Sequence, residues 1–240
     1  MNEPTAIILA AGVGRRFGLG LADRPKALLE VAGETLLARL IRQLRSAGVT
    51  EIVVVVGWGG RHVEDALAGE EGIHILTNPD FRRGAILSLF TARGFLDRDV
   101  LVMDADVFGP DEMIARLVGS RHANCFLLDP RSEASGEEQM LMVRGGYVRD
   151  IARTPRGEYD RLGESVGFLK LEAEAAGRLR VLLAERVDRG EIDLEHEEVY
   201  PDLLAAVEVG FETVDDLAWT EVDFPEDIER ARAIAAGTPG

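Results

Sequence analysis

Residues 5–18 read TAIILAAGVGRRFG, an apolar run that stops at glycines. The run from Thr5 to Ala11 is continuous rather than alternating. It therefore predicts a strand buried on both faces, as in a parallel sheet covered by helices. The same signal returns at Glu51–Val56, Ile73–Leu76 and Asp99–Met103. The stretches between have helical spacing. Glu34–Ala47 carries Leu36, Leu37, Leu40, Ile41, Leu44 and Ala47 with arginines between, and Gly48 suits its C-terminal cap. Further helices are predicted at Val63–Leu67, Ala85–Phe95 and Pro110–Val118. This alternation predicts an α/β fold, doubly wound about a mostly parallel sheet.

After Asn124 the rhythm changes. Cys125–Leu128, Met140–Val143, Tyr147–Ile151 and Ser165–Leu171 read as strands, with a hairpin signal at Arg144-Gly145-Gly146. Helices are predicted at Ala173–Asp188 and Pro201–Val209, then a last strand at Thr220–Asp223 and a last helix at Pro225–Ala236. No linker separates the halves. The chain reads as one domain over 1–240, with a βα half at 1–123 and a β-rich insertion at 124–240 on the same sheet.

Lys and Arg total 27 against 43 Asp and Glu, a net charge of −16 in 240 residues. A surface so acidic repels nucleic acid and anionic membranes, so neither is expected as a partner. Cys125 is the one cysteine, and no apolar run approaches the length of a membrane span. A soluble cytoplasmic protein is the expectation. Of the 27 cationic residues only Lys26 and Lys170 are lysines.

The glycines at 12, 14 and 18 do not fit the dinucleotide fingerprint, whose third glycine falls one residue earlier and whose helix follows at once. Nor is there the G-K-[ST] of the phosphate loop of kinases and GTPases. What remains is a long loop, 11–29, with Arg15, Arg16, Arg24 and Lys26 against one acid, Asp23. Backbone N–H groups and cations gathered in this way suit a polyphosphate.

Carboxylates supply the second half of such a site. Asp104 and Asp106 close the fourth strand, two positions apart and so expected on one face. Glu221-Val222-Asp223 closes the last strand. Ligands of parallel sheets bind at these strand ends, and carboxylates with phosphate oxygens suit Mg²⁺. His62, His74, His122 and His196 read as structural or surface residues. A phosphate acceptor needs no base, because it is largely dianionic at neutral pH.

The sequence resembles a known family at these positions. Leu9-Ala10-Ala11-Gly12-Val13-Gly14-Arg15-Arg16, then Arg24-Pro25-Lys26, then Gly33-Glu34-Thr35-Leu36-Leu37, is similar to the signature of nucleotidyltransferases that join an NTP to a phosphorylated small molecule. Asp104-Ala105-Asp106-Val107, Gly163–Phe168 (GESVGF) and Trp219–Asp227 (WTEVDFPED) look closest to the bacterial phosphocholine cytidylyltransferases. The resemblance implies a Rossmann-like nucleotidyltransferase fold with a nucleotide-binding first half and an acceptor-binding second half. It implies catalytic roles for Lys26, Arg15 and Asp106, and Mg²⁺ on Asp106 and Asp223. Leu9, Ala10, Ala11, Gly12, Gly14, Arg15, Lys26, Gly84, Ser88 and Asp104 would hold the nucleotide. Glu164, Ser165, Trp219 and Tyr159 are expected around the acceptor. The expected reaction moves CMP from CTP to a small phosphorylated acceptor such as phosphocholine and releases pyrophosphate. Inositol 1-phosphate and 2-aminoethylphosphonate are the alternative acceptors. A sugar-1-phosphate nucleotidyltransferase and a non-catalytic nucleotide sensor are the readings from other classes.

Overall fold

The structure is a computed structural model that describes residues 3–14 and 24–237. Its strands are β1 (Thr5–Ala10), β2 (Glu30–Val31), β3 (Glu34–Thr35), β4 (Ile52–Val56), β5 (Ile73–Thr77), β6 (Val100–Asp104) and β7 (Val107–Phe108), followed by β8 (Cys125–Asp129), β9 (Met140–Arg144), β10 (Tyr147–Ala152), β11 (Arg161–Leu171), β12 (Gly210–Thr213) and β13 (Thr220–Glu221). The helices are α1 (Leu36–Ser46), α2 (Gly60–Ala66), α3 (Ile86–Thr91), α4 (Asp111–Gly119), α5 (Ala173–Asp188), α6 (Tyr200–Leu204) and α7 (Pro225–Ala235).

Among the described residues, nine strands form the main sheet, in the order β10-β9-β11-β6-β1-β4-β5, with β8 beside β11 and β12 beside β8. The β6-β1-β4-β5 portion is parallel throughout. Its strands are apolar at nearly every position because both faces are covered, the exceptions being Thr5 and Asp104 at strand ends and His74 and Thr77 on the edge strand β5. Ile7, Val53, Val55 and Val102 face a core shared with α3, α5 and α6. Ala6, Ile8, Val54, Val56 and Leu101 face the core under α1, α2 and α4. Successive side chains of a strand point to opposite faces, so one apolar run feeds two cores.

β11 joins the two halves of the chain. β9 pairs its residues Arg161–Glu164, β6 pairs Phe168–Leu171, and β8 spans the bend between, with a register shift between Ser165 and Leu169. Gly167 sits in that bend at φ +78°, and a Cβ there would stand 2.5 Å from Asp104 Oδ2. Cys125 is fully buried at the start of β8, and burial pushes its thiol up to about 11.

Several predicted elements differ in extent, among them β11, which begins at Arg161 rather than Ser165, and three helices. The helix predicted from Glu34 starts at Leu36, because Thr35 caps it: its Oγ1 accepts from Ala38 N–H at 3.1 Å. The predicted helix at Ala85–Phe95 splits into α3 and a 3₁₀ turn at Arg93–Phe95. The predicted helix at Pro201–Val209 ends with α6 at Leu204, and the chain enters β12 instead. Val207, Val209 and Phe211 recur with the strand period of two, and Gly210 allows a close approach to the His122 ring. A small third core of Val31, Leu36, Phe108, Val222 and Ala231 seats the β7–β13 ribbon against α7.

Candidate active site

A cavity of about 360 Å³ opens over the C-terminal ends of β1 and β6. Leu9, Ala10, Ala11 and Gly12 form one wall, where β1 runs out into the glycine turn. Ser88, just inside α3, lines the cavity with its hydroxyl oxygen accepting from Asn78 Nδ2 at 3.1 Å. Lys26 opens a 3₁₀ turn behind Pro25 and reaches across the floor.

The Lys26 ammonium donates to Asp106 Oδ2 at 2.7 Å and also to Asp223 Oδ1. Burial works against its charge, but Asp106 and Asp223 outweigh that and raise the ammonium pKa. These two acids are far apart in the chain. The β7–β13 ribbon brings them together, with Glu221 opposite Val107 and Val222 N–H donating to Asp106 O at 2.9 Å. Asp223 is further anchored by its own N–H, which donates to Asp227 Oδ2 at the start of α7, at 3.0 Å.

Asp104 and Asp106 do not share a strand face as the spacing predicted. β6 ends at Asp104 and the chain turns at Ala105, whose N–H donates to Leu9 O at 3.3 Å. Asp106 therefore faces Lys26, whereas Asp104 faces His196 and Glu197. His196 Nε2 lies 3.9 Å from Asp104 Oδ1, and His196 Nδ1 lies 3.3 Å from Glu197 Oε2. The Tyr200 ring stands edge-on to His196 at 5.6 Å. The buried Tyr200 hydroxyl has no hydrogen-bond partner among the described residues. Burial and the nearby Glu197 carboxylate hold Asp104 well above the usual carboxylate range. Glu221 opens onto the cavity, yet enclosure by protein and then Asp106 and Asp223 push it up to about 8. Glu164 is also raised by burial, against a hydrogen bond from Ser132 Oγ.

Lys26, Asp104, Asp106, Glu164, Ser165 and Asp223 all line this one cavity. Gly14 lies within the described residues, at φ +63°, but does not line it. Arg15 lies outside the described residues. Gly84 is a packing residue rather than a cavity wall. Its N–H donates to Ile192 O at 3.0 Å, and a Cβ there would meet Leu194 O at 2.1 Å. Trp219 turns away from the cavity, with its indole N–H donating to Asp129 Oδ2 at 2.7 Å. Tyr159 stands on the surface, 42% exposed, before β11 begins.

Sequence reading missed His196, Glu197, Glu195, Arg153 and the segment Glu137–Gln139, all of which line the cavity. They sit in polar stretches with no period to mark them, and only the tertiary fold brings them in. Among the described residues nine carboxylates line the cavity against two cationic side chains, Lys26 and Arg153. Asp106 Oδ1 is buried there without a hydrogen-bond partner. An orphaned carboxylate oxygen beside a second carboxylate is a donor set that suits a hard divalent cation such as Mg²⁺.

Residues 6–166 match the model of the MobA-like NTP transferase domain. The chain is 35% identical over 94% of its length to a CMP-5'-(3-aminopropyl)phosphonate synthase of Streptomyces rubellomurinus, of which it spans 38%. It is 34% identical over 97% of its length to a bifunctional IPC transferase and DIPP synthase of Rubrobacter xylanophilus, of which it spans 52%. The chain thus covers about two fifths to one half of these curated relatives. Its fold is similar to that of a CTP:phosphocholine cytidylyltransferase from Streptococcus pneumoniae, with a TM-score of 0.83 at 22% identity, over 98% of this chain and all of that one.

Proposed function

This chain belongs to the MobA-like NTP transferase domain family, and on that premise we propose that it moves CMP from CTP to a small phosphate or phosphonate acceptor. The observation that carries this reading is the Lys26 ammonium seated between Asp106 and Asp223, beside the glycine turn of β1. An acceptor oxygen attacks the α-phosphorus of CTP. The bond from that phosphorus to the bridging oxygen breaks, and pyrophosphate leaves. The acceptor dianion needs no deprotonation, so the protein orients and neutralises. Asp106 and Asp223 would hold Mg²⁺, which when bound offsets charge on the triphosphate. Lys26, held between those two acids, would contact the same phosphates. Asp104, Glu197 and Glu164 form the wall toward β11, on the acceptor side.

Acids in that wall favour an acceptor that carries an amine. A quaternary ammonium gains most from aromatic faces. Among the described residues no Trp, Tyr or Phe lines the cavity. A primary ammonium instead donates hydrogen bonds to carboxylates. The reading therefore moves from phosphocholine toward an aminoalkyl phosphonate, in line with what the Streptomyces relative is named for. Inositol 1-phosphate is the second acceptor, since its hydroxyls also donate to carboxylates.

Pyrophosphate release, measured for all four NTPs against aminoalkyl phosphonates, phosphocholine, inositol 1-phosphate and a sugar 1-phosphate, tests both levels. CTP with an aminoalkyl phosphonate is expected to turn over fastest. Faster turnover with GTP would overturn the cytidylyl reading. Preference for inositol 1-phosphate would overturn the amine alone. Asp106→Ala and Asp223→Ala should each cut kcat by at least ~100-fold, the scale of losing a group that stabilises transition-state charge.

A further inference from the structure

Asp129 ends β8 with 3% of its surface exposed, and it is shared by two segments of the site. Its Oδ1 accepts from the Arg131 backbone N–H at 2.9 Å and from Arg131 Nε at 3.0 Å. Its Oδ2 accepts from the Arg131 guanidinium at 2.6 Å and from Trp219 Nε1 at 2.7 Å. The same guanidinium donates to Leu217 O at 2.9 Å, so the chain on both sides of Ala218 is tied to one carboxylate. The next residues, Thr220 and Glu221, are β13, and Asp223 follows. On its other side, Asp129 is the cross-strand partner of Glu164, and Ser132 of the same turn donates to the Glu164 carboxylate.

We propose that Asp129, acting through Trp219, is a positioning residue that sets the acids on and after β13 in register with the acceptor wall of β11. This inference rests on the cytidylyl-transfer reading above. β13 is two residues long and, among the described residues, pairs with the equally short β7 alone. Such a ribbon cannot hold Asp223 in place by ladder hydrogen bonds alone. The half-buried indole and its bond to Asp129 fasten the ribbon's leading end, while Asp227 fastens its trailing end. Groups behind metal-binding carboxylates act in this manner, fixing where the carboxylate points.

Trp219→Phe removes the N–H together with the five-membered ring, and Asp129→Asn, which keeps the side-chain volume, separates the lost bond from the lost packing. Mn²⁺ binding in the presence of CTP, followed by electron paramagnetic resonance, reads the acids without turnover. Trp219→Phe should weaken that binding about tenfold and lower kcat to match, with KM for CTP changed less than about twofold. Asp129→Asn should do the same. The double variant should be no worse than either single one, as for two partners in one bond. A lowered Tm with unchanged Mn²⁺ affinity, or additive losses, would overturn the proposal and leave the transferase reading intact. Failure of the native protein to bind Mn²⁺ with CTP or to release pyrophosphate would overturn both.

Discussion

Glu221 shows how much a single position carries that its residue type alone does not reveal. Although Glu221 is exposed on the cavity side, enclosure by protein and then Asp106 and Asp223 push its carboxyl up to about 8, from an ordinary value near 4.5. Between these two values the native state binds a proton that the unfolded chain does not. Stability therefore falls as pH rises through that window. The expected outcome is a Tm, without nucleotide or metal, that declines from pH 5 to pH 8, and a shallower decline in Glu221→Gln. An identical slope in the variant would remove Glu221 from the account, leaving Asp104, which is raised in the same direction. At this scale the sequence was legible where a residue sat in a motif. Lys26, Asp106 and Asp223 meet in the structure, although 80 and 197 positions separate Lys26 from the two acids. His196 and Glu197 were illegible, because Glu195-His196-Glu197-Glu198 looks like any solvated turn until Asp104 is packed against it. Trp219 was misjudged because sequence distance from Asp223 does not reveal which way an indole points.

The cavity wall beside Asp104, proposed above to meet the acceptor, is shaped by β11. Its eleven residues pass from β9 to β6 by bending at Gly167, and the bend brings Asp104 within contact of the strand backbone. A methyl at Gly167 would have to displace that carboxylate as well as accept φ +78°. Gly146, in the turn between β9 and β10, has φ +83° but nothing within 4 Å of a built Cβ. The pair separates backbone strain from the clash. Both Gly167→Ala and Gly146→Ala should lose about 1–2 kcal/mol, the cost of an L-residue in the left-handed region. Only Gly167→Ala should also raise KM for the acceptor, and equal acceptor KM values in the two would show that the contact with Asp104 is idle. The parallel strands were readable as elements because continuous apolar runs have few alternatives. The bend in β11 was not, since GESVG gives no hint of which residue takes the positive φ. β12 was lost for a related reason: four residues at a sheet edge make a weaker signal than the helix before them.

Among the described residues, the two halves of the chain share one sheet and cores on both of its faces, so they form one body. The βα half follows from local pattern. The second half depends on pairings between distant segments, such as β8 with β12, which no window of sequence contains. Among the described residues no helix is long and apolar enough to cross a membrane. Cys125 lies at the seam of this body, between β11 and β12, and it is the one thiol in the chain. A maleimide can reach it only when that seam parts. Native protein should resist labelling at neutral pH and react fully in denaturant. Its slow rate in native buffer would then serve as a clock for opening of β8 from its two neighbours. Rapid labelling without denaturant would mean that the seam breathes on its own. A chain with a single sealed thiol thus carries its own reporter of cooperativity.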